Sequence, residues 1–130
     1  MAFKAYIAED SATVRQSLIE TLQELAHVDA EGGAETAQDC ISWLQTHSQC
    51  WSLAIVDLSL RESSGMNVLQ ACRKRRPEQK MVVFSSHTSG DMRKRCAQLG
   101  ADAVFDKSSD IDKLLDYCIA ERRKYEHRLV

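Results

Sequence analysis

The chain has 130 residues, enough for one domain with a sizeable core. Its 17 Lys and Arg stand against 19 Asp and Glu, and a formal net charge of -2 is no nucleic-acid footprint. No apolar run approaches membrane-spanning length and the N-terminus lacks a signal-peptide pattern, so a soluble, cytoplasmic protein with no membrane partner is expected. The five cysteines, Cys40, Cys50, Cys72, Cys96 and Cys118, are dispersed without a CxxC. They read as reduced, core-filling thiols and not as a disulfide frame or a zinc site. His27, His47, His87 and His127 are too far apart for a short metal motif.

Phe3 to Ala8 is a mostly apolar run ending in Glu9-Asp10, a first strand. Ser11 can cap the helix that follows, with Val14, Leu18, Leu22 and Leu25 at helical spacing. Val28 to Gly33 is a weak second strand. A second helix from about Thr36 to His47 carries Ala37, Cys40, Ile41 and Leu44 as its buried stripe. Leu53 to Val56 is an unbroken apolar run, the mark of a strand buried on both faces, and it ends in Asp57. A polar loop with Gly65 follows. The third helix presents Val68, Leu69 and Cys72 and is expected to run through the basic stretch Arg73 to Arg76, where Pro77 stops it.

Met81 to Phe84 forms a fourth strand that ends in Ser85-Ser86. Asp91 to Leu99 is a helix with Met92, Cys96 and Leu99 on one side and Gly100 as its C-terminal stop. Ala103 to Phe105 is a short fifth strand ending in Asp106-Lys107, and the last helix begins near Asp110. Strand and helix alternate five times, which predicts an α/β fold: a doubly wound, five-stranded parallel sheet with five helices on its two faces and right-handed crossovers. Trp43 and Trp51 read as packing residues.

Open α/β sheets place their chemistry at the carboxyl ends of the strands. There the sequence puts Glu9-Asp10, Asp57, Ser85 and Lys107. Asp57 alone could be a loop cap, and Lys107 alone a solvated lysine. Together, three carboxylates repel one another and raise each other's pKa unless a cation joins them. Carboxylate oxygens are what Mg2+ takes. An ammonium and a hydroxyl suit an anion, and a carboxylate can itself accept a phosphoryl group.

On these residues the chain resembles a response-regulator receiver domain of two-component signalling. The resemblance rests on Glu9-Asp10, on Asp57 with Gly65 eight residues on, on Ser85, and on Gly100-Ala101-Asp102 leading to Lys107, and it covers nearly the whole chain. It implies a flavodoxin-like sheet of strand order 2-1-3-4-5. It also implies that Asp57 takes a phosphoryl group from a sensor histidine kinase or a histidine phosphotransfer protein. Mg2+ would be held by Asp10 and Asp57, with Glu9 acting through water and the main chain of Ser59 adding an oxygen. Lys107 would bind the acyl phosphate. A hydroxyl would turn toward it to bias an inactive-to-active equilibrium. Ser85 and Ser86 are both candidates, and the distances of Ser85 to Gly100 and Lys107 fit the family better. Ser59 and His87 would flank the phosphoryl group.

Three positions depart from the family pattern. Arg61 stands where Pro is frequent, Val104 where Tyr or Phe is preferred, and Ser108 where a cis Pro is common. Val104 bears on the output switch. Phe105 should face the other side of its strand, so it cannot replace the missing aromatic. The segment from Ser86 to Leu99 should then carry the change. The expected function is a phosphorylation-controlled switch over residues 1–130 with no output domain and no enzyme activity beyond its own phosphorylation and dephosphorylation. It would alter protein–protein binding, with a homodimer among the arrangements left open. The runs Arg73 to Arg76 and Arg93 to Arg95 read as solvated faces before partner surfaces. A constitutive interaction module is opposed by the intact Glu9, Asp10, Asp57, Ser85 and Lys107. A small-molecule phosphatase is opposed by Ser59, which stands where a second acid would be needed.

Overall fold

The computed structural model describes residues 3–33, 36–60, 63–86 and 88–128. The elements alternate as β1 (Lys4–Ala8), α1 (Ala12–Ala26), β2 (Asp29–Glu31), α2 (Ala37–Thr46), β3 (Leu53–Val56), α3 (Gly65–Ala71), β4 (Lys80–Ser85), α4 (Gly90–Gln98), β5 (Ala103–Asp106) and α5 (Ile111–Arg128). The five strands form one parallel sheet in the order β2-β1-β3-β4-β5. The order implied by the resemblance is the order observed.

Period-two alternation divides the strands between two cores. Ala5 and Ile7, Leu53 and Ile55, Val82 and Phe84, and Phe105 face α1 and α5, whose Leu18, Leu22, Leu114 and Cys118 complete that side. Tyr6 and Ala8, Ala54 and Val56, and Met81 and Val83 face α2, α3 and α4, through Cys40, Leu44, Val68, Leu69 and Cys96. A strand that buries both faces has no polar face to show, which is why these runs are apolar without alternation. Val104 packs with the second core and Phe105 with the first, so the two face opposite ways as expected.

Four of the five helices start at a hydroxyl that caps them. Ser11, Thr36, Ser64 and Ser89 accept from the amides of Val14, Asp39, Met66 and Met92. Gly100 follows α4 at φ 100°, a conformation that favours glycine and ends the helix as predicted.

Four expectations need correction. The buried stripe of α1 is Leu18, Leu22 and Ala26, while Val14 and Leu25 are exposed. Leu25 lies off the 18–22–26 line of a helix whose inner face is narrow. The third helix ends at Ala71, before the basic run and well before Pro77. Arg75 accounts for this: its guanidinium collects the carbonyls of Cys72 (3.2 Å), Gln79 (2.8 Å) and Gly100 (2.8 Å) and pairs with Asp102 at 2.8 Å. These bonds tie the loop after α3 to β4 and to the approach to β5. Arg75 is thus structural and not part of a solvated face. Cys50 is exposed, whereas the other four thiols are buried. Burial pushes Cys40 up to about 11 and Cys118 up to about 12, which suits inert core fillers. Trp51 is buried, with its indole N–H on the Leu44 carbonyl at 3.0 Å, and Trp43 stacks between Tyr6 and His47.

Among the described residues no helix is long and apolar enough to cross a membrane. The sequence also hid a two-residue antiparallel ribbon, Ser59–Leu60 against Ser63–Ser64, in the loop after β3. The ribbon delivers Gly65 against the backbone of Asp57. A Cβ on Gly65 would sit 2.1 Å from the Asp57 carbonyl oxygen and 2.9 Å from Val56 Cγ1. Gly65→Ala is therefore expected to destabilise the fold by about 1–3 kcal/mol, as overpacking does, and to move the Asp57 amide resonance. Urea unfolding and a nitrogen–proton spectrum measure both; an unchanged midpoint would mean that α3 can retreat freely.

Candidate functional site

The register of the sheet continues one residue past the strands and gathers the site. Ala8 lies beside Val56, and the Asp57 amide donates to the Ala8 carbonyl at 2.9 Å. This sets Glu9 and Asp10 next to Asp57. Ser85 lies beside Asp106, and the Lys107 amide donates to the Ser85 carbonyl at 3.0 Å.

Glu9, Asp10 and Asp57 each present a carboxylate oxygen, and these oxygens lie within 4.8 Å of one another. Lys107 reaches in between: its Nζ hydrogen-bonds Glu9 Oε1 and lies 2.9 Å from Asp57 Oδ2. The other oxygen of Asp57 accepts the Ser59 amide at 3.1 Å, so both oxygens of the acid are held. Glu9 Oε2 accepts the Ser11 amide at 3.0 Å, and the Arg15 guanidinium holds the Glu9 carbonyl at 2.7 Å. Glu9 and Asp57 are buried, and Asp10 is half-buried.

The charges are strained against one another. Burial pushes the Glu9 carboxyl above its ordinary value. A hydrogen bond from Lys107 and the Ser11 amide pull it back, while Asp10 and the charge of Asp57 push it further up. Burial pulls Lys107 down, yet its bonds and Coulombic attraction to Glu9 and Asp57 outweigh this and leave the ammonium above its ordinary value. One ammonium serves two anions while a third carboxylate stands beside them. Three hard oxygen donors with that surplus of negative charge fit a divalent cation such as Mg2+.

Ser85 is fully buried at the end of β4, while Ser86 is exposed. Among the two candidate hydroxyls, the one at Ser85 belongs to a residue bonded through its carbonyl to the backbone of Lys107. His87 and Arg61 lie outside the described residues. Val104 sits at the edge of α4, and its carbonyl takes the Arg93 guanidinium at 3.0 Å. The second basic run is thus partly engaged within the domain.

Two neighbours went unrecognised in the sequence. Arg15, on α1, reaches the Glu9 backbone, with its stem beside Gly32. Asp106 precedes Lys107 and accepts from Ser108 and Thr88. An Asp two residues before a Ser is an Asx-turn signal, so Asp106 was open to detection; Arg15 carried no such mark. A groove of about 540 Å3 lies at the opposite end of the sheet, lined by Lys4, Trp51, Ser52, Gln79, Tyr125 and Arg128 among others. It shares no residue with the carboxylate cluster.

Lys107→Met should raise the Glu9 pKa further in metal-free buffer, because the hydrogen bond that opposes burial is gone. A carboxyl whose folded pKa exceeds its unfolded one contributes a penalty that is absent at low pH and fully present above the raised value. The variant should therefore lose more stability, relative to the parent, at pH 7 than at pH 4. Carboxyl-carbon titration and urea unfolding at both pH values check this. A stationary Glu9 titration would show that Lys107 is not the group holding it down.

The sequence matches the response regulator receiver domain family over residues 5–118. It is 28% identical over 68 residues to the photosynthetic apparatus regulatory protein RegA of Rhodobacter capsulatus. That match takes in 52% of this chain and only 37% of RegA, so the chain covers well under half of that relative. The fold is similar to the signal receiver domain of a Luxo repressor protein from Vibrio parahaemolyticus, with a TM-score of 0.81 at 21% identity, over 98% of this chain and 95% of that one. A CheY-like receiver domain protein from Methanospirillum hungatei JF-1 gives a TM-score of 0.79 at 21% identity, over 98% and 99% of the two chains. At these identities the structural likenesses speak for the fold, and the family match carries the assignment: the chain belongs to the response regulator receiver domains of two-component systems.

Proposed function

We propose that the domain is a phosphorylation-controlled switch in which Asp57 accepts a phosphoryl group from a histidine kinase or a histidine phosphotransfer protein. The observation that carries this is Asp57 itself: a buried carboxylate, oriented through both oxygens, in a trio of acids and 2.9 Å from Lys107. Glu9, Asp10 and Asp57 would hold Mg2+, with the main chain of Ser59 as a further donor. When bound, the ion neutralises charge on the transferring group.

An oxygen of Asp57 attacks phosphorus. The bond from phosphorus to the donor imidazole nitrogen breaks, and its electron pair stays on that nitrogen. The acyl phosphate no longer offers Lys107 the same carboxylate, so the ammonium turns to the phosphoryl oxygens, a charge-assisted contact. Ser85 supplies the hydroxyl that follows the new anion. The domain works on its own phosphoryl group and on no other substrate. It acts in the cytoplasm by changing its affinity for a protein partner, by about 5- to 150-fold if the coupling is of ordinary size.

Incubation with acetyl phosphate and Mg2+ should add one base-labile phosphoryl group, mapped to Asp57. Asp57→Asn should abolish it, and so should chelation of the metal. Label on a serine or a histidine, or no label at all on the parent protein, would overturn the proposal; the last result would favour a constitutive interaction module.

A further inference from the structure

The turn that presents Lys107 is held from its neighbour. One oxygen of Asp106, Oδ1, accepts the Ser108 amide at 2.8 Å and also the Ser108 hydroxyl. The backbone of Asp106 is bonded reciprocally to Asp110. Its amide donates to Asp110 Oδ2 at 2.9 Å, and its carbonyl accepts the Asp110 amide at 2.8 Å. These bonds close the five residues 106–110 into a box at the head of α5, with Lys107 projecting from it toward Glu9 and Asp57.

The second oxygen of Asp106, Oδ2, points the other way. It accepts the hydroxyl of Thr88, in the loop that leads from Ser85 to α4. Arg93, on α4, closes the same link from outside: it donates to the Thr88 carbonyl at 3.3 Å and lies 3.7 Å from Asp110. One carboxylate therefore joins the segment that carries Lys107 to the segment that follows Ser85. Three hydrogen bonds to the Asp106 carboxylate hold it down to about 2, so it stays ionised at any working pH.

We propose that Asp106 is a positioning residue of the phosphoryl site, fixing the Lys107 turn through Ser108 and coupling it to the loop after Ser85 through Thr88. The proposal rests on the reading of Asp57 as phospho-acceptor. When Lys107 follows a phosphoryl group, the box moves with it, and Thr88 is drawn along. The loop and α4 then receive the change by a hydrogen-bonded path that does not require a side chain larger than Val104 on β5.

Three variants separate the two arms. Asp106→Ala removes both, Asp106→Asn keeps an acceptor oxygen for Ser108, and Thr88→Val removes the loop arm alone. With acetyl phosphate and Mg2+, Asp106→Ala should form the acyl phosphate about ten- to a hundredfold more slowly, as expected for a misplaced ligand. Its affinity for Mg2+ alone should stay within about twofold, and Asp106→Asn should return to within about threefold of the parent rate. Thr88→Val should be labelled at the parent rate. With beryllofluoride, amide exchange in the parent should change in both 88–99 and 106–110; in Thr88→Val it should change in 106–110 only. Parental labelling by Asp106→Ala, or an unaltered 88–99 response in Thr88→Val, would overturn the proposal. Should Asp106→Ala not fold, the Thr88→Val exchange pattern decides alone. If the parent itself is not labelled on Asp57, it is the underlying reading that fails.

Discussion

Three carboxylates crowded within 4.8 Å are the constraint to which the rest of the molecule answers. Like charges at that distance resist one another most where water is scarce, and Glu9 and Asp57 are both buried. Lys107 is the internal answer, bonded to two of the three. It comes from the far side of the sheet's centre, at the end of β5, and it reaches Asp57 only because the registers of β1, β3, β4 and β5 align their ends. The acidic cluster can exist in the folded state because the sheet delivers the cation, and the sheet is held together by two apolar cores that have nothing to do with charge.

Much of this arrangement was legible in the residues. Runs such as Leu53 to Val56 announce a strand covered on both faces, and a parallel sheet follows from their alternation with helical stripes. Glu9, Asp10, Asp57, Ser85 and Lys107 could be named because each ends such a run. What could not be read depended on contacts distant in sequence. The end of α3 is set by Arg75, whose partners Gly100 and Asp102 lie beyond the next strand. The inner face of α1 settles on Ala26 and leaves Leu25 outside, a choice made by packing and not by hydropathy. The ribbon after β3 has only two residues a side, too short for any period to show.

The departures from the family pattern also take on a physical shape. Where an aromatic is preferred, Val104 is half-covered, and its carbonyl is occupied by Arg93. Where Pro is common, Ser108 gives its amide and hydroxyl to Asp106. A ring fixes a turn through its covalent geometry, whereas Asp106 does so through hydrogen bonds, which can break and reform. Polar contacts thus stand at both positions where the family more often uses bulk or rigidity.

The groove lined by Lys4, Trp51, Gln79 and Tyr125 has a consequence for anyone seeking compounds against this protein. It opens at the ends where the strands begin, on the side of the sheet away from the acids, and it offers about 540 Å3 beside a largely apolar wall. The acidic cluster, by contrast, is charged, and its own lysine already bonds Glu9 and Asp57. A compound seated in the groove would therefore line up against none of Glu9, Asp10, Asp57 and Lys107. Chemists would need a competition format, or a probe reporting from Asp57 itself, to know which end of the domain a compound had found.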